Sequence, residues 1–275
     1  MSNPTQTRTN GDRADQTRSR ILDAATREFS ANGLAGARTE RIAEAAGVNK
    51  ALLYYYFRSK DALYQETLGT VAEQMAVSSL SVLNRDCSAG ERLLRSALNH
   101  FDRIYSQRVF QNLMQQEMMR YRKGEACDSN PLAEKLFRPM GERMIAVVEE
   151  GIRSGELIDV ENSSMTYAAL GANVFYFLSA PMMRLIAGVD PLEASALEFR
   201  RKAAVEFLGQ AVFADRAHGA HVAAQVLADT PMPQPDLSAH FELPGFGAKR
   251  KSAARKSGMN NMGTSETSAI EERHK

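Results

Sequence analysis

Apolar residues recur along most of this chain with the spacing of amphipathic helices. The first such pattern starts at Asp15, includes Ile21, Leu22 and Phe29, and is predicted to end at Asn32-Gly33. An alternating strand pattern is not found anywhere in the sequence. The sequence therefore predicts an all-α protein of about nine helices. The later helices are expected at residues 60–84, 90–106, 107–122, 131–154, 163–187 and 191–214.

Two short helices are predicted between the first helix and the long fourth one. Thr39, Asn49 and Ser59 are expected to cap the second, third and fourth helices, because their side chains accept hydrogen bonds from free backbone N–H groups. Gly47 breaks the chain between the second and third helices. Residues 39–57 thus have the spacing of a helix-turn-helix.

The third helix has an unusual outward face. Leu53 and Phe57, four residues apart, lie close together and indicate the side that faces the core. Tyr55 then points directly away from the core, and Ala51 and Leu52 also lean outward. Such a face suits the major groove of DNA, which offers thymine methyl groups and hydrogen-bond acceptors. The alternative is a helical hairpin whose tyrosines pack on another part of the protein.

Charge and cysteine usage are compatible with a DNA-facing N-terminus. The 275 residues have a net charge of +1, but residues 1–60 hold ten Lys or Arg against six Asp or Glu. Cys87 and Cys127 belong to no CxxC or Cys/His pattern, so neither a disulfide nor a metal site is expected. The polar N-terminus has no apolar signal segment, and the predicted location is the cytoplasm.

The stretch from Thr17 to Leu68 resembles the DNA-binding domain of the TetR family of bacterial regulators. The matching segments are ILDAATREFSANG at 21–33, TERIAEAAGV at 39–48, LYYYF at 53–57 and SKDALY at 59–64. The segment GIRSGEL at 151–157 is also familiar from this family, where it precedes the last two helices.

The resemblance implies nine DNA-contacting residues. Contacts to the DNA backbone are expected from Arg38 and Thr39, and phosphate contacts from Tyr56 and Lys60. Ala51-Leu52 replaces the Gly-Thr of many members, which removes one hydroxyl and leaves the operator sequence open. Contacts in the groove are expected from Lys50, Ala51, Leu52, Tyr54 and Tyr55.

The resemblance also implies a C-terminal helical domain that binds a small ligand and dimerises through its last two helices. The expected organisation is a disordered arm at 1–14, a helix-turn-helix DNA-binding domain at 15–62, a helical ligand-binding and dimerisation domain at 63–216, and a disordered C-terminal tail at 217–275.

Eight side chains are predicted to line the ligand pocket, although Met and Phe residues at helical spacing more often form ordinary core. The eight are Phe101, Tyr105, Met114, Met118, Phe137, Met144, Asn173 and Tyr176. His100 is expected at the surface or the edge of the core, with ligand sensing as the alternative.

Residues 162–183 carry no charge and are long enough to span a bilayer. Asn, Ser and Pro interrupt this run and no second span accompanies it, so we expect no membrane association. We predict a helix that is buried on most sides, with a partner subunit covering what the chain itself cannot cover.

Together with these patterns, the resemblance implies a ligand-responsive DNA-binding transcriptional regulator, namely a repressor that a small apolar effector releases from a palindromic operator. The expected partners are double-stranded DNA, a second copy of the chain and the small-molecule effector. The alternative is a helix-turn-helix regulator whose body binds a protein partner. No nucleophile elbow, P-loop or HExxH motif occurs, so neither enzymatic activity nor a cofactor is expected.

Overall fold

The computed structural model describes residues 10–125 and 130–234, and it confirms the predicted all-α fold. A π-helical turn, Ala133–Phe137, leads into the seventh α-helix, and an antiparallel bridge joins Leu157 to Phe213. The α-helices are α1 Asn10–Gly36, α2 Thr39–Ala45, α3 Lys50–Phe57, α4 Lys60–Leu83, α5 Ala89–Ser106, α6 Arg108–Arg122, α7 Arg138–Arg153, α8 Asn162–Ala187, α9 Ala194–Val212 and α10 Arg216–Asp229.

Local signals set the ends of the N-terminal helices largely as predicted. Gly33 interrupts α1 with a positive φ of 67°, and Gly47 makes the corner before α3 with a φ of 65°. Asn49 and Ser59 cap α3 and α4. Thr39, by contrast, does not cap α2: Arg38 occupies the cap position without a side-chain bond, and Thr39 is the first, buried residue of the helix.

Two hydrophobic clusters form the interior. The first joins α1, α2, α3 and most of α4 to Phe110 and Leu113 of α6 and to Leu132 and Leu136 near the π-helical turn. The second joins the end of α4 to α5, α7, α8, α9 and α10. Helix α4 therefore runs from the first cluster into the second as one continuous helix.

Charged side chains buried on α5 form ion pairs that hold other helices around it. Asp102 of α5 accepts two hydrogen bonds from Arg201 of α9, at 2.6 and 2.8 Å. Arg95 of α5 donates to Asp229 of α10 at 2.9 Å. Because a buried charge without a partner is costly, each of these pairs constrains where its helix can pack.

The prediction of a disordered tail at 217–275 is wrong for its first part, which forms α10. Asp215 caps this helix by accepting hydrogen bonds from two backbone N–H groups of its first turn. The helix packs through small side chains, which give a weak amphipathic signal in sequence. Its buried residues are Gly219, Val222, Ala223 and Val226. Residues 235–275 lie outside the described residues.

The predicted disordered arm at 1–14 is likewise wrong for its last residues, because α1 already begins at Asn10. Residues 1–9 lie outside the described residues.

The prediction that residues 163–187 are buried on most sides is wrong for a single chain. Phe175 is 69% exposed and Ile186 is 72% exposed, and Tyr167, Leu178 and Leu185 are also exposed. Within the described part of the chain, α8 is the one helix long and apolar enough to cross a membrane, and only 17% of its most apolar stretch is buried. The apolar surface of α8 is thus left without cover by its own chain.

We predict that Gly219→Ala lowers the free energy of unfolding by about 3 kcal/mol, because α9 and α10 touch through glycine. A β-carbon at Gly219 would overlap the carbonyl oxygen of Gly209, and one at Gly209 would lie 2.6 Å from that of Gly219. Urea unfolding at fixed protein concentration measures the change. The matched control is Gly141→Ala, where a β-carbon meets nothing within 4 Å and should stabilise the helix. Equal effects of the two substitutions would contradict the packing of α10 on α9.

Candidate DNA interface and ligand cavity

Helix α3 is anchored from one side only. Leu53 and Phe57 are buried in the first hydrophobic cluster, and the side chain of Asn49 accepts a hydrogen bond from the Leu52 backbone N–H at 2.7 Å. On the opposite side Tyr55 is 80% exposed, and Ala51 is exposed beside it. The helix therefore presents an apolar and phenolic face to its surroundings.

Lys50, at the start of α3, forms an exposed ion pair with Glu40 of α2. Lys50 donates a hydrogen bond to the Glu40 carboxylate in this pair. The bond lowers the pKa of the Glu40 carboxyl group and raises the pKa of the Lys50 ammonium group. The ammonium group also lies 5.8 Å from the centre of the Tyr54 ring. An exposed pair of this kind contributes little stability, so a phosphate or a base acceptor can compete for Lys50.

Three further residues predicted to contact DNA already have partners within the protein. The hydroxyl groups of Thr39 and Tyr54 are 3.3 Å apart, so Tyr54 leans back toward α2. Lys60 donates a hydrogen bond to the carbonyl oxygen of Ala35 at 3.2 Å. Of the nine predicted residues, Arg38, Lys50, Ala51, Leu52 and Tyr55 are exposed, Tyr54, Tyr56 and Lys60 are half-buried, and Thr39 is buried.

The family model for bacterial regulatory proteins of the tetR family matches residues 21–67, which span the helix-turn-helix just described. Residues 21–67 of this chain thus form a domain of the TetR type. The resemblance seen in the sequence is thereby confirmed.

Relatives with known roles match a limited part of the chain. The HTH-type transcriptional repressor SCO4008 of Streptomyces coelicolor is 41% identical over 64 residues, 23% of this chain and 33% of that protein. The HTH-type transcriptional repressor NicS of Pseudomonas putida is 46% identical over 66 residues, 23% of this chain and 31% of that protein. The match thus spans about a third of the length of these relatives.

Solved structures extend the likeness of the fold beyond the N-terminal domain. A γ-butyrolactone receptor (ArpA-like protein) superposes with a TM-score of 0.52 at 20% identity, covering 79% of this chain and all of that chain. A protein from Saccharomonospora viridis in complex with choline superposes with a TM-score of 0.56 at 16% identity, covering 73% and 100%. At these identities the likeness concerns the fold alone.

The helical body contains a cavity of about 370 Å³, lined by residues of α4, α5, α6, α7, α8 and the π-helical turn. Of the eight side chains predicted for a pocket, Met114, Phe137 and Met144 line it. The other five do not line this cavity: Phe101, Tyr105, Met118, Asn173 and Tyr176. Their surroundings explain two of these outcomes, since Phe101 packs on the Phe177 ring at 5.0 Å and the Asn173 amide donates to the backbone of α5.

Two polar residues of α5 in the cavity wall, His100 and Arg103, were absent from the predicted lining. The Nδ1 atom of His100 is buried and has no hydrogen-bond partner. Burial lowers the pKa of His100 to about 4, and the positive charge of Arg103 acts in the same direction. The spacing of three residues, which places both on one helix face, was the available sequence signal.

Helix α6 links this cavity to the TetR-type domain. Its Met114 lines the cavity, and its Glu117 accepts hydrogen bonds from the Tyr64 hydroxyl of α4 at 2.8 Å and from Arg120 at 2.8 Å. Gln116 of α6 also donates to the backbone carbonyl of Ser30 in α1 at 2.8 Å. Burial and the Glu117 carboxylate both raise the pKa of Tyr64, which keeps its proton on the phenol.

We predict that burial of neutral His100 makes the protein less stable in mild acid. An unfolded histidine has a pKa near 6.5 and takes up a proton that the folded protein, with a pKa of about 4, excludes. The free energy of unfolding therefore keeps this contribution above pH 6.5 and loses it between pH 6.5 and 4. The loss is about 2 kcal/mol at pH 5. Urea unfolding at pH 7.5 and 5 should show that His100→Gln removes this part of the pH dependence. If the variant keeps the pH dependence of the wild type, buried His100 is not its cause.

Proposed function

We propose that this chain is a DNA-binding transcriptional regulator that acts as a homodimer and as a repressor, and that a small effector in the body cavity releases it from its operator. The observation that carries the proposal is the exposed face of α3, with Ala51, Leu52 and Tyr55, on a domain that matches the TetR family. A partner such as bacterial DNA also implies that the protein acts in the cytoplasm.

The chemistry of α3 supports entry into the major groove. Ala51 and Leu52 can contact thymine methyl groups, and the Tyr55 hydroxyl can bond to a base edge. Lys50 can exchange its exposed carboxylate partner, Glu40, for an acceptor on DNA. Arg38 is exposed at the start of α2 and can reach a phosphate, which fixes the position of the domain without reading sequence.

The uncovered surface of α8 supports a dimer. Phe175 and Leu178 are exposed on α8, and Phe199 and Phe207 are exposed on the neighbouring α9. A second copy of the chain would cover this apolar surface and would bring two α3 helices to one DNA molecule. Two-fold symmetry then matches a palindromic site, with half-sites about 34 Å or a multiple of it apart.

Helix α6 offers a route by which a ligand could release DNA. A ligand against Met114 would favour some positions of α6 over others, and Gln116 and Glu117 would pass such a shift to α1 and α4. The effector then acts by preferring a dimer whose two α3 helices are wrongly spaced for DNA. A body that binds a protein partner is less favoured, because the cavity has the size and the apolar lining of a small-molecule site.

We predict that Lys50→Ala combined with Tyr55→Ala lowers the affinity for the operator at least about tenfold, because direct contacts to base edges are lost. Fluorescence anisotropy with DNA that flanks the protein's own gene, at two salt concentrations, measures the loss. The matched control is Tyr121→Ala with Lys123→Ala, which removes an exposed tyrosine and lysine from the end of α6 and should bind as wild type.

Wild-type affinity for the double variant would contradict the role of α3. Wild-type protein that binds only at the nonspecific level, both here and in a genome-wide selection of bound fragments, would contradict the regulator proposal itself.

We predict that Phe175→Glu with Leu178→Glu converts the dimer into monomers, because association would bury unpaired charge. Sedimentation equilibrium measures the change, and selective DNA binding should be lost with it. The control is Val77→Glu, which places the same charge at an exposed apolar position of α4. Wild-type protein that is monomeric in solution and partitions into lipid vesicles would instead assign the α8 surface to a membrane.

A further inference from the structure

Arg103 is a buried cation that lacks a carboxylate partner among the described residues. Its side chain lies on α5 in the cavity wall and the residue is only 6% exposed. Among the described residues its guanidinium donates through one nitrogen, Nη1, to Met75, to the backbone oxygen at 3.3 Å and to the sulfur at 3.0 Å. The pKa of Arg103 is lowered by burial alone.

The other buried charges of α5 show that this is unusual for the helix. Arg92 and Arg95 pair with carboxylates, and Asp102 pairs with Arg201. Removing an ion from water is costly, and the cost is usually offset by an opposite charge. At Arg103 no opposite charge from the described residues offsets this cost.

The lining of the cavity around Arg103 favours a negatively charged ligand. None of the residues that line it is Asp or Glu. His100, next to Arg103 on α5, can donate from Nδ1 to an anion when its neutral ring carries the proton there. The remaining polar groups in the wall are uncharged hydroxyls and amides, so the site carries one fixed positive charge.

Apolar side chains make up much of the rest of the wall. Met75, Phe110 and Met144 are buried in the lining, whereas Phe137 and Tyr167 are exposed. A ligand whose polar group meets Arg103 would therefore place its remaining atoms among apolar side chains. The volume of about 370 Å³ is within the usual range for a small ligand.

We propose that the cavity binds an amphipathic monocarboxylate, whose carboxylate pairs with Arg103 and whose apolar part lies among the Met and Phe side chains. A monoanion matches the single fixed charge, and the planar guanidinium suits a carboxylate. A cationic ligand would meet Arg103 as a like charge. This inference rests on the proposed function in one respect, namely that the cavity is the effector site.

The test is calorimetric titration of the full chain, without DNA, with three probes of equal chain length: decanoate, decanol and decylamine. Decanoate should bind at least about tenfold more tightly than the other two. Arg103→Met should abolish this preference, and Arg103→Lys should retain much of it because the charge remains. Equal binding of decanoate and decanol to wild type, or no saturable binding of any carboxylate from six to fourteen carbons, would overturn the proposal.

A second measurement needs no ligand. Arg103→Met should raise the melting temperature of the ligand-free protein, because it removes an unpaired buried charge. Arg95→Met, on the same helix and equally buried, should lower it, because it leaves Glu91 and Asp229 without their partner. A loss of stability in Arg103→Met as large as in Arg95→Met would mean that Arg103 is structural and would overturn the proposal.

The DNA assay separates this inference from the proposed function. Carboxylate binding that depends on Arg103 but leaves operator binding unchanged supports the cavity assignment and contradicts the effector role. Release of DNA by neutral compounds, with no preference for the acid, supports the effector role and contradicts the carboxylate assignment.

Discussion

Helix α5 is the element on which the rest of the described structure depends, because it is buried while carrying charge. Arg92, Arg95, Asp102 and Arg103 all lie on it with little exposure. Buried charges must be paired, so α7, α9 and α10 each bring an opposite charge to α5 and are thereby held around it. Arg103 is the exception, and it faces the cavity. Helix α5 thus organises the helical body through its ion pairs and, through Arg103, gives the cavity its positive charge.

Features that depend on short-range interactions were predictable from the sequence. The corner at Gly47, the caps at Asn49 and Ser59, and the anchoring of α3 by Leu53 and Phe57 all involve residues within one or two turns of each other. These same interactions fix which side of α3 is exposed. The orientation of the candidate DNA-reading face could therefore be derived from helical periodicity alone.

Features that depend on contacts between residues far apart in the chain could not be predicted from the sequence. Helix α10 has a weak apolar pattern because it packs through glycine and alanine, and that close approach becomes evident only when Gly209 of α9 is placed beside Gly219. The cavity could not be read correctly either, since Met75, Arg103 and Phe110 meet from three helices. Thr39 looked like a cap in sequence, but tertiary packing buries it beside Tyr54.

The apolar surface of α8 connects the chain to its proposed assembly. Sequence analysis predicted a helix too apolar to be covered by its own chain, and the exposed side chains of α8 agree with that part of the prediction. A dimer through this surface would make the two α3 helices a single DNA-reading unit. The proposal therefore links the apolar surface of α8 to the geometry of the operator.

Hydroxyl-radical footprinting of the most tightly bound genomic fragment tests the central claim most directly. Our account predicts two protected patches related by two-fold symmetry, on one face of the DNA and separated by one helical turn or a whole multiple of it. A single asymmetric patch, or protection spread evenly along the fragment, would contradict a dimer that reads DNA with two copies of α3.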